Sequence, residues 1–275
     1  MNKKKRDSLV SLTECAIMVA LSTVLSIIKI IDLPYGGSIT AASMLPIVVA
    51  VYRHGTAWGF GIAAVSSVIQ LLLGMNALSY AVTWQAAVAI ILFDYIIAFS
   101  VFALSGIFRG KVKSSATAVL LGILLSSVLR FICHTAVGCT VWAGISIPTG
   151  AALLYSLSYN ATYMIPETII LALAGTYVFS VMDFSSKTPK RIKRESADTA
   201  SSYCALFAGI ALLIALITDV ALVFGALQNA ETGELDFTGI SSANLPAIIT
   251  VTAVGAVVSL ALFIIIKLRE NNKKA

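Results

Sequence analysis

Long apolar runs recur along the chain, broken by short polar or basic stretches, and each run is about the length of a membrane-crossing helix. A spanning helix needs about 20 mostly apolar residues, and the pattern predicts spans at 10–31, 39–52, 57–75, 80–108, 116–138, 157–182, 203–227 and 245–267. Backbone that cannot be hydrogen-bonded is excluded from lipid, and the strict alternation of a transmembrane barrel strand is absent, so these segments are expected to be helical. The second is short and carries Pro46, which predicts a tilted or broken helix. The opening "MNKKKRDSL" and the apolar stretch after it resemble a secretory signal. That run continues too far, contains Glu14 and has no small-residue cleavage site, so it is assigned as the first span.

Composition sharpens this picture. The 275 residues are 59% hydrophobic and only 12% charged, about half the charge of a soluble domain, with a mean hydropathy of +0.94. The basic residues are one-sided: 17 of the 19 Lys and Arg precede the first predicted span or lie in the 2–3, 4–5 and 6–7 connections and the C-terminus. The opposite loops carry Asp32, Glu231, Glu234 and Asp236 and no basic residue. The positive-inside rule then places both termini in the cytoplasm of a multi-pass plasma-membrane protein. The net charge of +6 serves topology and contact with anionic lipid, not nucleic acid.

The chain divides at residues 185–202, "SSKTPKRIKRESADTASS", a polar and basic stretch read as a cytoplasmic linker. It separates a six-helix body, residues 1–184, from a two-helix tail, residues 203–275. "GIFRGKVKSS" at 106–115 looks like a phosphate loop, but three residues separate Gly106 from Gly110 where four are required, and it follows an apolar helix instead of a strand. Cys15, Cys133, Cys139 and Cys204 are scattered without metal or redox spacing. Asn160-Ala161-Thr162 matches a glycosylation sequon but falls inside or at the start of a helix.

The remaining chemistry lies in ionisable groups within spans, each costing about 2.5–3.5 kcal/mol at a helix centre. Asp94, Arg130, His134, Glu167 and Asp219 qualify. Lys29 and Asp32, at a helix end, read as interfacial anchors. Arg130 and His134 are four apart on one helix face, and an Arg130–Glu167 pair would neutralise two charges in a structural role. Tyr155, Tyr159 and Tyr163 form a stripe if their helix begins early enough. Trp84, Trp142, Tyr35, Tyr80 and Tyr155 fall toward the non-cytoplasmic interface, where an aromatic belt is expected, and that reading is preferred for Tyr80 and Tyr163. A belt does not explain why Asp94, His134 and Asn160 lie a turn or two below it on three helices. Indole and phenol rings with one carboxylate, an imidazole and an amide suit a flat, cationic, hydrogen-bonding ligand, since aromatic faces attract delocalised cations.

Four segments, "LPYGGSITAASMLPI" (33–47), "FDYIIAF" (93–99), "LRFICHTAVGCTVW" (129–142) and "YSLSYNATYMIPE" (155–167), resemble, in order and spacing, the thiamine-specific substrate-binding subunit of energy-coupling factor transporters. The resemblance covers residues 9–184. It implies an all-α, six-helix vitamin-capture bundle without enzymatic activity, cofactor or metal. Its implied partners are a transmembrane coupling subunit and two cytoplasmic ATPases. By the family's motifs, substrate would be held by Asp94, His134, Trp142, Tyr155 and Asn160, with Trp84 or Tyr80 as the fourth-helix aromatic. Tyr35 would lie in the loop that closes over ligand. Ala16 and Ala20 in "ECAIMVALS" would form the small-residue face that docks on the coupling subunit. Thiamine, with a thiazolium cation, an aminopyrimidine and a hydroxyl tail, matches the chemistry argued above. A thiamine precursor such as a hydroxymethylpyrimidine, another vitamin, or a non-transport scaffold are the alternatives.

Two departures stand out. Ile96 and Ile97 occupy positions where many members carry a proline. The two C-terminal helices, their acidic loop "NAETGELDF" and Asp219 have no counterpart in the pattern.

Overall fold

The computed structural model describes residues 3–33, 36–140, 150–186, 188–192, 199–227 and 242–272. Two compact units divide between Ile192 and Lys193. Among the described residues seven helices are long and apolar enough to cross a membrane. The acidic loop lies outside the described residues.

The first unit opens with α1 (Lys3–Ile27), which stops short of the predicted Ile31. The chain instead turns into a hairpin, β1 (Lys29–Asp32) pairing antiparallel with β2 (Ser38–Thr40). Lys29 and Asp32 form an exposed ion pair at 2.9 Å along β1, an anchoring arrangement on a strand where a helix end was expected. A two-residue β-branched run, Ile30-Ile31, followed by "DLPYGGS", supplies strand preference and a turn, and this local chemistry overrides the helical reading.

The second predicted span is α2 (Leu45–His54), only ten residues and so about 15 Å long, half a bilayer core. Pro46 through Tyr52 are all buried. A helix apolar on every face and enclosed by others need not cross lipid by itself. After α3 (Thr56–Leu73) and a 3-10 turn at Met75–Tyr80, the fourth span is not one regular helix. It runs as α4 (Trp84–Ala89), a π-helix at Ile90–Ile97, α5 (Ala98–Ser100) and a 3-10 segment at Val101–Gly106. Long antiparallel helices α6 (Ser115–Thr140) and α7 (Gly150–Val181) follow, then a hairpin of β3 (Met182–Asp183) and β4 (Lys190–Arg191).

Burial along α1 shows the membrane logic. Cys15, Val19, Ser22 and Ser26 face inward, while Leu12, Ile17, Leu21 and Val24 are 46–56% exposed. Small and polar side chains sit between helices and large apolar ones point out, because lipid accepts leucine as readily as the interior does. At the end remote from the β1–β2 hairpin, Glu14 accepts from Arg53 at 2.8 Å and lies 2.9 Å from His54 Nε2. Arg109 there donates to the Arg53 carbonyl at 2.8 Å.

The second unit is an antiparallel pair, α8 (Thr199–Leu227) and α9 (Leu245–Asn272). Gly255 lies against Ala215, Ser259 donates to the Ala208 carbonyl at 2.8 Å, and Thr252 donates to Asp219 at 2.6 Å.

Candidate functional site

Asp94 lies in the π-helical stretch. The wider turn re-aims side chains relative to an α-helix, and such departures recur at functional sites. Here Asp94 turns inward at 9% exposure while its neighbours Leu92 and Phe93 stay near 45%. Tyr95, next in sequence, donates to the Gly74 carbonyl at 2.9 Å and pins the π turn to the end of α3.

From Asp94 a hydrogen-bonded chain crosses to α6 and α7. Asp94 Oδ1 lies 2.9 Å from His134 Nδ1, Arg130 Nε donates to His134 Nε2 at 3.2 Å, and Arg130 Nη1 donates to Glu167 Oε2 at 3.0 Å. Arginine can only donate, so His134 Nε2 must be the acceptor and its proton must sit on Nδ1, pointing at Asp94. His134 is therefore neutral in this arrangement. With both carboxylates ionised, Arg130 balances Glu167 and the cluster retains one negative charge, on Asp94. The guanidinium also lies 4.3 Å from the centre of the Phe99 ring, a cation–π contact worth about 0.5–2 kcal/mol.

A second layer stands beside this chain. The Tyr163 hydroxyl donates to Asn160 Oδ1 at 2.7 Å, and Asn160 Nδ2 donates to the Ser156 carbonyl at 2.9 Å. Ser156 donates in turn to the Thr135 carbonyl on α6 at 2.9 Å. The two helices come this close because residue 138 is glycine, where a Cβ would overlap Ser156 Oγ. The His134 ring packs edge-on against both Phe99 and Tyr163. Helix α7 begins early enough to include Tyr155, and its predicted stripe exists: Tyr155 stacks on Tyr159 with centroids 6.4 Å apart, and Tyr159 meets Tyr163 edge-on at 5.7 Å.

The structure thus brings together Asp94, His134 and Asn160 from three elements, with Tyr155 one turn along the stripe. Trp84 and Tyr80 are 73% and 48% exposed, as members of an interfacial belt would be. Tyr35 and Trp142 lie outside the described residues. Tyr163 departs from the belt reading: it is 5% exposed and bonded into the network, and its i, i+4 spacing from Tyr159 was the available signal. Phe99 and Thr40 also join the site. Thr40 donates to Glu167 Oε1 at 2.9 Å, and nothing in its local sequence marks it. Ala16 and Ala20 are both exposed on α1.

A family model described as thiamine transporter protein (Thia_YuaJ) matches residues 12–185. The chain is 31% identical over 209 residues to the thiamine transporter ThiT of Bacillus subtilis (strain 168), covering 72% of this chain and all of that protein. Its fold is similar to a solved structure of ThiT from Listeria monocytogenes, with a TM-score of 0.51 and 23% identity over 63% of this chain and 94% of that one.

Proposed function

The chain belongs to the thiamine transporter protein family, and we propose that it captures thiamine at the Asp94 cluster as the substrate-binding subunit of an energy-coupling factor importer. The observation that carries this reading is the pairing: in a buried, aromatic-lined network Arg130 takes Glu167, and Asp94 meets only the His134 ring. A thiazolium cation would complete it. Asp94 supplies the counter-charge. Asn160, Tyr155 and His134 orient the rings, and Trp142, with Tyr35, contributes aromatic surface as the family resemblance implies.

The β1–β2 hairpin end faces outside the cell and both termini lie inside, supported by Arg53, Arg109, Lys111, Lys113, Lys190 and Arg191 falling toward the opposite end. The chain performs no ATP hydrolysis. That work belongs to two ATPase subunits joined through a transmembrane coupling subunit, which docks on the exposed Ala16–Ala20 face of α1. Isothermal titration of the detergent-purified chain tests the substrate: thiamine binds, Asp94→Ala and Asn160→Ala bind far more weakly, and the separate pyrimidine half competes poorly because it lacks the cation. Absence of binding at micromolar thiamine rejects the assignment.

A further inference from the structure

We infer that a single water molecule is built into the body between α6 and α7, held by Arg130, Ser127 and Thr168 on the side of the Arg130–Glu167 pair remote from Asp94. The inference does not depend on which substrate the Asp94 cluster takes. It begins with the protons of Arg130. A guanidinium carries five N–H groups. Nε donates to His134 and Nη1 to Glu167, while Nη2 has no hydrogen-bond partner among the described residues, although Arg130 is only 8% exposed.

Along α6, His134 lies four residues to one side of Arg130 and Ser127 three to the other, so all three share a face. Thr168 follows Glu167 on α7. Hydroxyls inside helices usually donate back to a carbonyl three or four residues earlier, as those of Thr23, Ser67, Thr140 and Ser180 do here. The Ser127 and Thr168 hydroxyls make no hydrogen bond among the described residues, and Ser127 is 6% exposed. These unmet groups line one cavity of about 10 Å³, with Phe102, Met164 and Leu171 as its apolar walls.

Size and charge select the occupant. A space of about 10–15 Å³ is the least that holds one water, and a buried water needs two to four polar partners. A cation would face the guanidinium and an anion the Glu167 carboxylate, which also borders the cavity. A water accepts from Nη2 and bonds both hydroxyls, each of which can donate or accept. It thereby ties α6 to α7 one turn beyond the charge pair, where no direct bond joins Ser127 to Thr168. With Nη2 met there, the guanidinium is held on Glu167.

A crystal structure of the full chain, at a resolution that shows ordered waters, tests this directly. Density is expected within hydrogen-bond distance of Arg130 Nη2 and of both hydroxyls. No such density, or hydroxyls turned back onto helix carbonyls, overturns the inference. Thermal unfolding of the full chain in detergent gives an independent reading through Ser127→Ala, Thr168→Val and the double variant. Each single change takes a partner from the water and should lower the midpoint by about 2–4 °C. The double change should cost about as much as one, because the same water is lost only once. Deleting a buried hydroxyl that has no partner costs nothing or stabilises. An unchanged or raised midpoint in either single variant therefore overturns the water, and so does a double-variant loss equal to the sum of the two. Should the double variant not fold, the single midpoints and the density decide.

Discussion

Among the described residues, two aspartates lie within the apolar membrane-length spans, and their surroundings differ in kind. Asp94 is the end of a relay through His134 and Arg130 to Glu167, joining the π-helical segment, α6 and α7. Asp219 receives one hydroxyl, from Thr252 at 2.6 Å, while its other oxygen is buried without a partner among the described residues. The first acid is supported by a network that fixes the His134 tautomer and links three elements. The second is met by a single helix–helix hydrogen bond within a two-helix unit. An ionisable residue in a span is thus not by itself a binding site. What converts it is a set of neighbours that determine where each proton resides.

The contrast can be broken most forcefully at Glu167. Its replacement by alanine leaves Arg130 buried and unpaired, and loss of one partner from such a pair costs about 3–5 kcal/mol. Thermal unfolding in detergent should show a large loss of stability, and an unchanged midpoint would remove Glu167 from the network. Next comes Asp94→Asn, which keeps an acceptor for His134 and deletes the charge. Thiamine affinity should fall by roughly ten- to hundredfold, in line with a charge-assisted contact of about 1.5–3 kcal/mol. Binding of a neutral pyrimidine fragment should change far less; equal losses for both ligands would refute charge complementation.

A smaller effect is expected from Tyr163→Phe. It removes the bond to Asn160 and should weaken thiamine binding or stability by about 1 kcal/mol, checked by titration calorimetry and thermal unfolding. Asp219→Asn should be weakest, since polar contacts between membrane helices average about 0.6 kcal/mol. Thiamine affinity in that variant should match the unaltered chain, and a tenfold change would put the tail into the binding function.

Some of this was legible before any coordinates. The relay's ingredients were visible as costly polar residues in apolar runs, and Arg130 with His134 shared a face by spacing alone. The Arg130–Glu167 pair was legible as well, as the pairing that would neutralise two costly charges, and the two meet at 3.0 Å. Thr40 was invisible: a threonine is unremarkable until a residue 127 positions away lies 2.9 Å from it. The hairpin at Lys29–Thr40 was not legible because helical periodicity runs up to it; the shortness of α2 was legible, but its enclosure on all sides depends on neighbours.

By itself, then, the sequence determined that this chain lives in a membrane and which few side chains are too expensive in lipid to be accidental. Those follow from solvation, which acts residue by residue along the chain. The tertiary structure decided the contact of His134 with Asp94, the tautomer of His134, the inward turn of Asp94 and the seating of the hairpin. Each of these depends on distances between segments far apart in sequence, and hydrogen bonds are made or lost over a few tenths of an ångström.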